Sequence, residues 1–118
     1  MIRHHFKKSA RILKRTEFVK LSKNGQKLKN EHFIVAVGPG GSETTRLGIT
    51  VTKKIGCAVI RNRIKRFVRE YFRLNRHRIT GKWDINIISR KKVFAISSKQ
   101  AFSSLEKIFD ELAKKIDR

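Results

Sequence analysis

The chain has 118 residues, with 30 lysines and arginines against nine acidic residues and a formal net charge of +21. This length predicts one domain with a real core, and the 39% hydrophobic content argues against a disordered basic tail. The charge favours nucleic acid as a partner, and no apolar run reaches the roughly 18 residues of a membrane span. Because Cys57 is the single cysteine, an internal disulfide is excluded, and we expect a cytoplasmic protein.

Residues 1–15 carry many cations and few apolar side chains, with no clear period. Three interpretations stay open for this N-terminal arm. It is a mobile terminus, a basic arm that contacts phosphate, or a segment that packs across the core through Phe6, Ile12 and Leu13. We include it in a single domain of residues 1–118.

A short helix is predicted next, with Thr16 as its N-cap and Gly25 just after its end. Its narrow apolar face consists of Phe18, Val19 and Leu21. The spacing predicts Phe18 to be a core residue by default.

Three strands are predicted after this helix. Residues 27–30 form a short edge strand, and the continuous apolar run 33–37 is typical of a central strand. Residues 46–52 alternate strictly, which places Thr50 and Thr52 on the outward face. Because a short glycine-rich turn joins the second and third strands, we expect these two to form an antiparallel hairpin.

A basic amphipathic helix is predicted from about Cys57 to about Arg76. Its apolar stripe comprises Ile60, Ile64, Phe67, Val68 and Tyr71. The cations of the run are Arg61, Arg63, Lys65, Arg66, Arg69 and Arg73. Like charges one turn apart repel by roughly 0.2–0.5 kcal/mol per pair, and Glu70 is the single acid within the run. The pattern therefore indicates a polyanionic partner, and Lys53 and Lys54 before the helix N-terminus add to the anion site.

A fourth strand is predicted at 83–89, and Ser97 with Gln100 fits a capping box before the last helix. The apolar stripe of that helix is Phe102, Leu105, Phe109, Leu112 and Ile116. The order is therefore α-β-β-β-α-β-α. It predicts an α+β fold, a two-layer α/β sandwich whose helices lie mainly on one face of a single sheet. The other face, or a cleft beside it, would be available to a ligand.

Catalytic groups are scarce in this sequence. A nuclease that relies on its own side chains needs carboxylates or histidines clustered around a metal or a water. The four histidines show no metal-ligand spacing, and Asp84 has no carboxylate partner nearby in sequence. Glu106, Asp110 and Glu111 are expected on the solvated flank of the last helix. We therefore expect no catalytic residue and no metal site in the protein, and binding as its role.

The stretch from Lys53 to Arg66, KKIGCAVIRNRIKR, closely resembles the signature of the bacterial ribonuclease P protein subunit. That signature centres on an Arg-Asn-Arg triplet followed by Lys-Arg. The predicted elements from about Leu13 to the C-terminus also agree in order with the family.

The resemblance implies an α/β sandwich with a left-handed β-α-β crossover, an exception to the usual right-handed rule. It implies an endoribonuclease holoenzyme that removes the 5′ leader from precursor tRNA by phosphodiester hydrolysis. A large RNA subunit with bound magnesium would be the catalyst. The protein would be monomeric, one per RNA, and would bind both that RNA and the single-stranded leader.

The resemblance also implies two sets of binding residues. The set expected to face the catalytic RNA is Lys53, Lys54, Arg61, Asn62, Arg63, Lys65, Arg66 and Arg69. The set expected to line the leader cleft, between the sheet and the first helix, is Phe18, Phe33, Thr50 and Thr52, with Arg90 at its rim. Aromatic stacking suits a sequence-tolerant leader site.

Two positions depart from the family pattern. Ser22 stands where a second aromatic often follows Phe18 by one turn, so leader stacking is expected to be weaker or redistributed. Cys57 stands before Ala58, where Asn is common. Asn caps a helix well and can take part in a polar or hydrated-metal contact, whereas Cys does either poorly.

Two alternatives share the charge pattern. A ribosomal protein or RNA chaperone is the main one, and reconstitution with ribonuclease P RNA would discriminate it. A DNA-binding protein that uses the basic helix in a major groove is the other. It is disfavoured because no dimerisation seam is evident.

Overall fold

The computed structural model describes residues 15–40, 45–79 and 81–116, so the arm of residues 1–14 lies outside these ranges. The helices are α1 (Arg15–Asn24), α2 (Ala58–Asn75) and α3 (Ser98–Ile116), and the strands are β1 (Gln26–Lys29), β2 (Phe33–Pro39), β3 (Arg46–Thr50) and β4 (Trp83–Ser89). Short 3-10 turns occupy Lys53–Ile55, Arg76–Arg78 and Lys91–Ala95. The predicted α+β class and element order are confirmed. None of the described helices has the length and apolar character needed to cross a membrane.

The four strands form one sheet in the order β1-β2-β4-β3. β2 pairs antiparallel with β1 and β4, and β3 pairs parallel with β4. The predicted hairpin of β2 and β3 is therefore wrong, because β4 lies between them. β2 and β4 are buried on both faces along most of their length and take the centre, whereas the partly exposed β1 and β3 take the edges. α2 connects the parallel neighbours β3 and β4, and the left hand of this crossover stays a prediction.

One face of the sheet carries the main core. Val35 pairs with Ile87 and Val37 with Ile85, so these four side chains share a face, and all are buried. They pack in one cluster with the apolar stripes of α2 and α3, to which Phe109 contributes a fully buried ring. The two helices therefore form a single layer on this face.

The opposite face is covered in part by α1. Leu21 is buried against Ala36, and Phe18 packs beside them. A Cβ at Gly38 would lie 3.1 Å from the Leu21 side chain, and a Cβ at Gly48 would lie 2.5 Å from the Phe18 ring. The glycines of two strands therefore let α1 approach the sheet closely.

Gly25 follows α1, as predicted, and its N–H donates to the Leu21 carbonyl at 2.9 Å. A Cβ at this position would lie 2.7 Å from that oxygen and 2.8 Å from the carbonyl oxygen of Val37. Glycine is therefore required because two backbones meet here.

The capping box of α3 is confirmed. The Gln100 N–H donates to Ser97 Oγ at 3.1 Å, and the Ser97 N–H donates to Gln100 Oε1 at 3.0 Å. These two hydrogen bonds satisfy donors that the first turn of a helix leaves without partners. The start of α3 is thereby fixed directly after the Lys91–Ala95 turn.

Two acidic residues of α3 lie on its exposed flank, as predicted, and also bind a cation. Arg78 Nη1 donates to Glu106 Oε1 at 2.7 Å, and Arg78 also pairs with Asp110. The Tyr71 hydroxyl donates to Glu106, and burial followed by this hydrogen bond raises the pKa of Tyr71 above its ordinary value. These carboxylates therefore tie the C-terminal part of α2 and the turn after it to the middle of α3.

Candidate nucleic-acid interface

The orientation of α2 follows from its apolar stripe. Ile64, Val68, Tyr71 and Phe72 are buried, so the remaining directions around the helix point to its flanks and to solvent. The expected cationic set occupies those directions. Lys53, Lys54, Asn62, Arg63, Arg66 and Arg69 are exposed, and Arg61 and Lys65 are half-buried.

No carboxylate within the described ranges lies within 4.0 Å of any cation in this set. The carboxylates that form ion pairs do so with Arg46, Arg73, Arg78 and His32. All seven cations of this set, on α2 and on the turn before it, are therefore without a carboxylate partner among the described residues. Concentrated cations without carboxylate partners form a surface suited to a phosphate backbone.

Arg61 and Arg63 flank the buried stripe on opposite sides, because residues two apart on a helix point about 200° apart. Arg63 is exposed, donates from Nη2 to the Phe94 carbonyl at 3.1 Å, and lies 5.7 Å from the Phe67 ring centroid. Arg61 is half-buried, and its Nε is buried without a hydrogen-bond partner among the described residues. Both flanks of α2 therefore carry a cation.

Cys57 precedes the first turn of α2, and its side chain makes no capping hydrogen bond. The expectation that Cys caps this helix poorly is confirmed. The backbone N–H of Ile60 nevertheless lowers the pKa of the exposed thiol, because N–H groups at a helix N-terminus stabilise an anion. The same groups would favour a phosphate at this end of the helix.

A cleft lies on the other face of the sheet, beside α1. The register places Ile34, Ile88 and Thr50 in one row, and all three are half-buried. The next row contains Ala36, Asn86 and Gly48, beneath the half-buried Phe18. A strip of partly exposed sheet surface therefore runs alongside the Phe18 ring.

The polar groups of this cleft come from β3 and β4. The Thr50 hydroxyl donates to Asn86 Oδ1 at 3.2 Å, and Asn86 is 5% exposed. Arg90 follows β4 at the rim, where its guanidinium donates to the Asn30 carbonyl at 2.8 Å. Thr52 is exposed just after β3. Phe18 and Thr50 therefore lie on the same side of the sheet, as expected, and Thr52 and Arg90 follow the strands β3 and β4 that form its floor.

Phe33 is a correction to the expected cleft. Its side chain is 0% exposed and belongs to the main core, on the face opposite Thr50. The reason is the alternation of β2: the even-numbered Ile34 and Ala36 face the cleft, whereas Phe33 and Val35 face α2 and α3. Phe33 therefore cannot stack on a base in the cleft.

Sequence reasoning missed several cleft residues. They are Ile34, Asn86 and Ile88, together with Lys27 and Lys29, which the register places at the β1 edge of the same face. The alternation of polar and apolar residues in the fourth strand was the available signal for Asn86.

A largely buried ion-pair network at one end of the cleft was also missed. Arg46 donates from Nε to Asp84 Oδ1 at 2.9 Å and from Nη2 to Asp84 Oδ2 at 2.7 Å, and it also pairs with Glu17 of α1. These contacts, with Asp84 the larger contributor, raise the pKa of Arg46 above its ordinary value. The bridge ties α1 to the central and edge strands.

The two surfaces approach each other at the end of the sheet where β3 stops. Thr52 leads into the Lys53–Ile55 turn and then into α2, and this turn packs against the Lys91–Ala95 turn that follows Arg90. The molecule is thus a small basic α+β domain with a cationic helix on one side and an open strip of sheet on the other. A basic surface of this kind is the electrostatic footprint expected of a nucleic-acid-binding protein.

The comparisons with known proteins identify the family. The sequence profile described as Ribonuclease P matches residues 6–113. The ribonuclease P protein component of Desulforapulum autotrophicum is 47% identical over 111 residues, which cover 94% of this chain and 95% of that protein. The corresponding protein of Citrifermentans bemidjiense is 37% identical over 115 residues, which cover 98% of each. The chain therefore belongs to the ribonuclease P protein family, and the resemblance found in its sequence is confirmed.

Solved structures agree with this assignment. The ribonuclease P protein of Staphylococcus aureus superposes with a TM-score of 0.83 at 35% identity, over 87% of this chain and 94% of that one. The ribonuclease P protein of Thermotoga maritima gives 0.78 at 35% identity, over 86% and 96% of the two chains. The fold described above is thus the fold of this family.

Proposed function

We propose that this chain is the protein subunit of a ribonuclease P holoenzyme and assists a catalytic RNA in removing the 5′ leader from precursor tRNA. The observation that carries the proposal is the pair of surfaces on one domain of this family. The cationic set of α2 would bind the RNA subunit, and the cleft beside α1 would bind the single-stranded leader.

The RNA subunit would carry the chemistry. No group of three or more His, Cys, Asp or Glu residues in the described ranges is arranged to hold a metal ion, so the donor set does not fit a protein-held magnesium. Glu17, Asp84, Glu70, Glu106 and Asp110 are engaged by arginines. The magnesium of the reaction would accordingly be bound by the RNA, and the protein would supply positioning and charge.

The cleft fits an extended single strand. The Phe18 ring at its wall would stack on a leader base. This contact would tolerate any leader sequence, because every base has a π-face. Thr50 and Asn86 offer polar groups on its floor, and Arg90 at the rim would contact a phosphate. Such a cleft would distinguish precursor tRNA from mature tRNA, which has no leader.

The experiment is reconstitution of precursor tRNA cleavage by ribonuclease P RNA at low magnesium, with and without the protein. We expect the protein, as a monomer bound to one RNA, to restore cleavage. A protein that binds this RNA without restoring cleavage would instead support the ribosomal-protein or RNA-chaperone alternative.

A second experiment tests where the catalysis lies. Each Asp and Glu is changed to Ala one at a time, and the cleavage rate is measured for every single variant that stays folded. We expect no loss near the 10²- to 10⁴-fold typical of a general acid or base. One such loss in a folded variant would contradict an RNA catalyst.

A further inference from the structure

One exposed aromatic ring lies beside the cationic helix and has no part in the function proposed above. Phe94, in the Lys91–Ala95 turn, is 56% exposed, whereas Val93 is 0% and Ile96 3% exposed. The turn is thus anchored in the core on both sides of Phe94. A partner that covered this ring would remove its apolar surface from water, which is favourable.

The turn holds Phe94 in a defined position. The Val93 N–H donates to the Arg90 carbonyl, and the Ile96 N–H donates to the Val93 carbonyl, each at 3.0 Å. Arg63 of α2 donates to the Phe94 carbonyl at 3.1 Å. The ring is therefore presented by a fixed backbone that is tied directly to the cationic helix.

The surroundings of Phe94 are cationic. Lys91 and Lys92 precede it and are exposed, and Arg63 lies between the turn and the Phe67 ring, 5.7 Å from the ring centroid. No carboxylate of the described ranges pairs with any of these three cations. A flat apolar surface surrounded by cations is complementary to a nucleobase and its flanking phosphates, and is a poor match for an apolar protein groove.

We propose that Phe94 is a stacking platform for one unpaired nucleotide of the RNA subunit, with Arg63, Lys91 and Lys92 contacting the adjacent phosphates. This inference rests on the proposed function. It names the RNA subunit because Phe94 lies on the α2 side of the molecule, whereas the cleft for the leader lies on the other face of the sheet. The platform adds an uncharged contact to an otherwise electrostatic interface.

The test compares Phe94→Ala, Phe94→Leu and Phe94→Trp in binding to the RNA subunit alone, titrated across salt concentrations. Loss of one base–aromatic stack should weaken binding roughly 5- to 150-fold in Phe94→Ala. Phe94→Leu should be nearly as weak, because Leu has no π-face, and Phe94→Trp should restore affinity. The salt dependence should be unchanged, whereas Arg63→Ala should reduce it by about one contact.

Leu74→Ala is the matched control, because Leu74 is 49% exposed on the same helix as Arg63 but near its other end. Its affinity for the RNA subunit should equal that of the unmodified protein. Thermal melts and binding to a labelled single-stranded leader oligonucleotide should be unchanged for every variant.

Several outcomes would overturn the platform: unchanged affinity in Phe94→Ala, full affinity in Phe94→Leu, a loss confined to the leader oligonucleotide, or a lowered melting temperature that accounts for the loss. If the unmodified protein fails to bind the RNA subunit, the proposed function itself is overturned. If the unmodified protein binds the RNA subunit and Phe94→Ala binds it with the same affinity, only the platform is overturned and the proposed function stands.

Discussion

Arginines serve opposite purposes in two regions of this molecule. At the end of the cleft, Arg46 keeps 16% of its side chain exposed and bridges Glu17 and Asp84. On α2, Arg66 and Arg69 are exposed and pair with no carboxylate of the described residues. The net charge of the chain therefore does not by itself show where a binding surface lies. The placement of the few acids decides which of these arginines is fixed within the fold.

The difference has structural and functional consequences. The fixed Arg46 positions α1 on the sheet and so builds one wall of the cleft. The exposed Arg66 and Arg69 of α2 keep their rotamer freedom and their charge for a partner that supplies the anions. Rigidity therefore belongs to the cleft that we propose for the leader, and adaptability to the helix surface that we propose for the RNA subunit.

The largest effect is expected from Arg46→Ala. Removing one partner of a buried ion pair typically costs about 3–5 kcal/mol, and with residual exposure we expect about 2–4 kcal/mol in the free energy of unfolding. Arg66→Ala is the control, because exposed substitutions usually stay within about 0.5 kcal/mol. Chemical denaturation measures both. If both variants lose only a similar, small free energy of unfolding, Arg46 does not fix the fold more than the exposed arginines of α2 do.

Phe18→Ala should act on the cleft alone. Loss of a base stack should weaken precursor tRNA binding by roughly 1–3 kcal/mol and leave mature tRNA binding almost unchanged. Gly48→Ala offers an independent check, because its Cβ would displace the Phe18 ring. We expect it to reduce the same preference for precursor. Equal weakening of both RNAs, or simple unfolding, would make Phe18 a core residue only.

Much of the fold could be predicted because its signals are local. The period of α2, the Ser97–Gln100 capping box and the alternation of β3 depend on near neighbours in the chain, and all three elements occur where expected. The position of β4 between β2 and β3 could not be predicted in this way. Strand order depends on which strands bury both faces, and that is decided by contacts distant in sequence.

The residues of the candidate site also fall into those with a local sequence signal and those without one. The cations of α2 could be found because a helical period and an excess of one charge are visible in the sequence. The side of the sheet that each cleft residue faces was harder to predict. The continuous apolar run 33–37 hides its alternation, so Phe33 was misplaced, and the alternation in β4 that signals Asn86 was missed. Arg46 and Asp84 are 38 positions apart in the chain, and their pairing has no local signal.

Arg61→Ala and Arg63→Ala should weaken binding to the RNA subunit, and each should reduce its salt dependence by about one contact. The free energy of unfolding should change by no more than about 0.5 kcal/mol. Titration of binding against salt, beside a thermal melt, measures both quantities. If affinity and salt slope stay unchanged in both variants, these arginines lie outside the interface and the division between the two regions fails.

The smallest effect concerns the start of α2. Cys57 leaves the N-terminal N–H groups of the helix without a side-chain cap, and Asn at this position should accept from one of them. Restoring a missing cap typically stabilises a protein by about 0.5–2 kcal/mol, and because this position is exposed we expect the lower end in Cys57→Asn. Cys57→Ala is the matched control, since it removes the thiol without adding an acceptor and should leave stability nearly unchanged. Denaturation measures both variants. If Asn and Ala behave alike, the end of α2 already satisfies its donors by other means. If Asn stabilises the fold but weakens RNA binding, the N–H groups that its side chain occupies belong to the RNA surface.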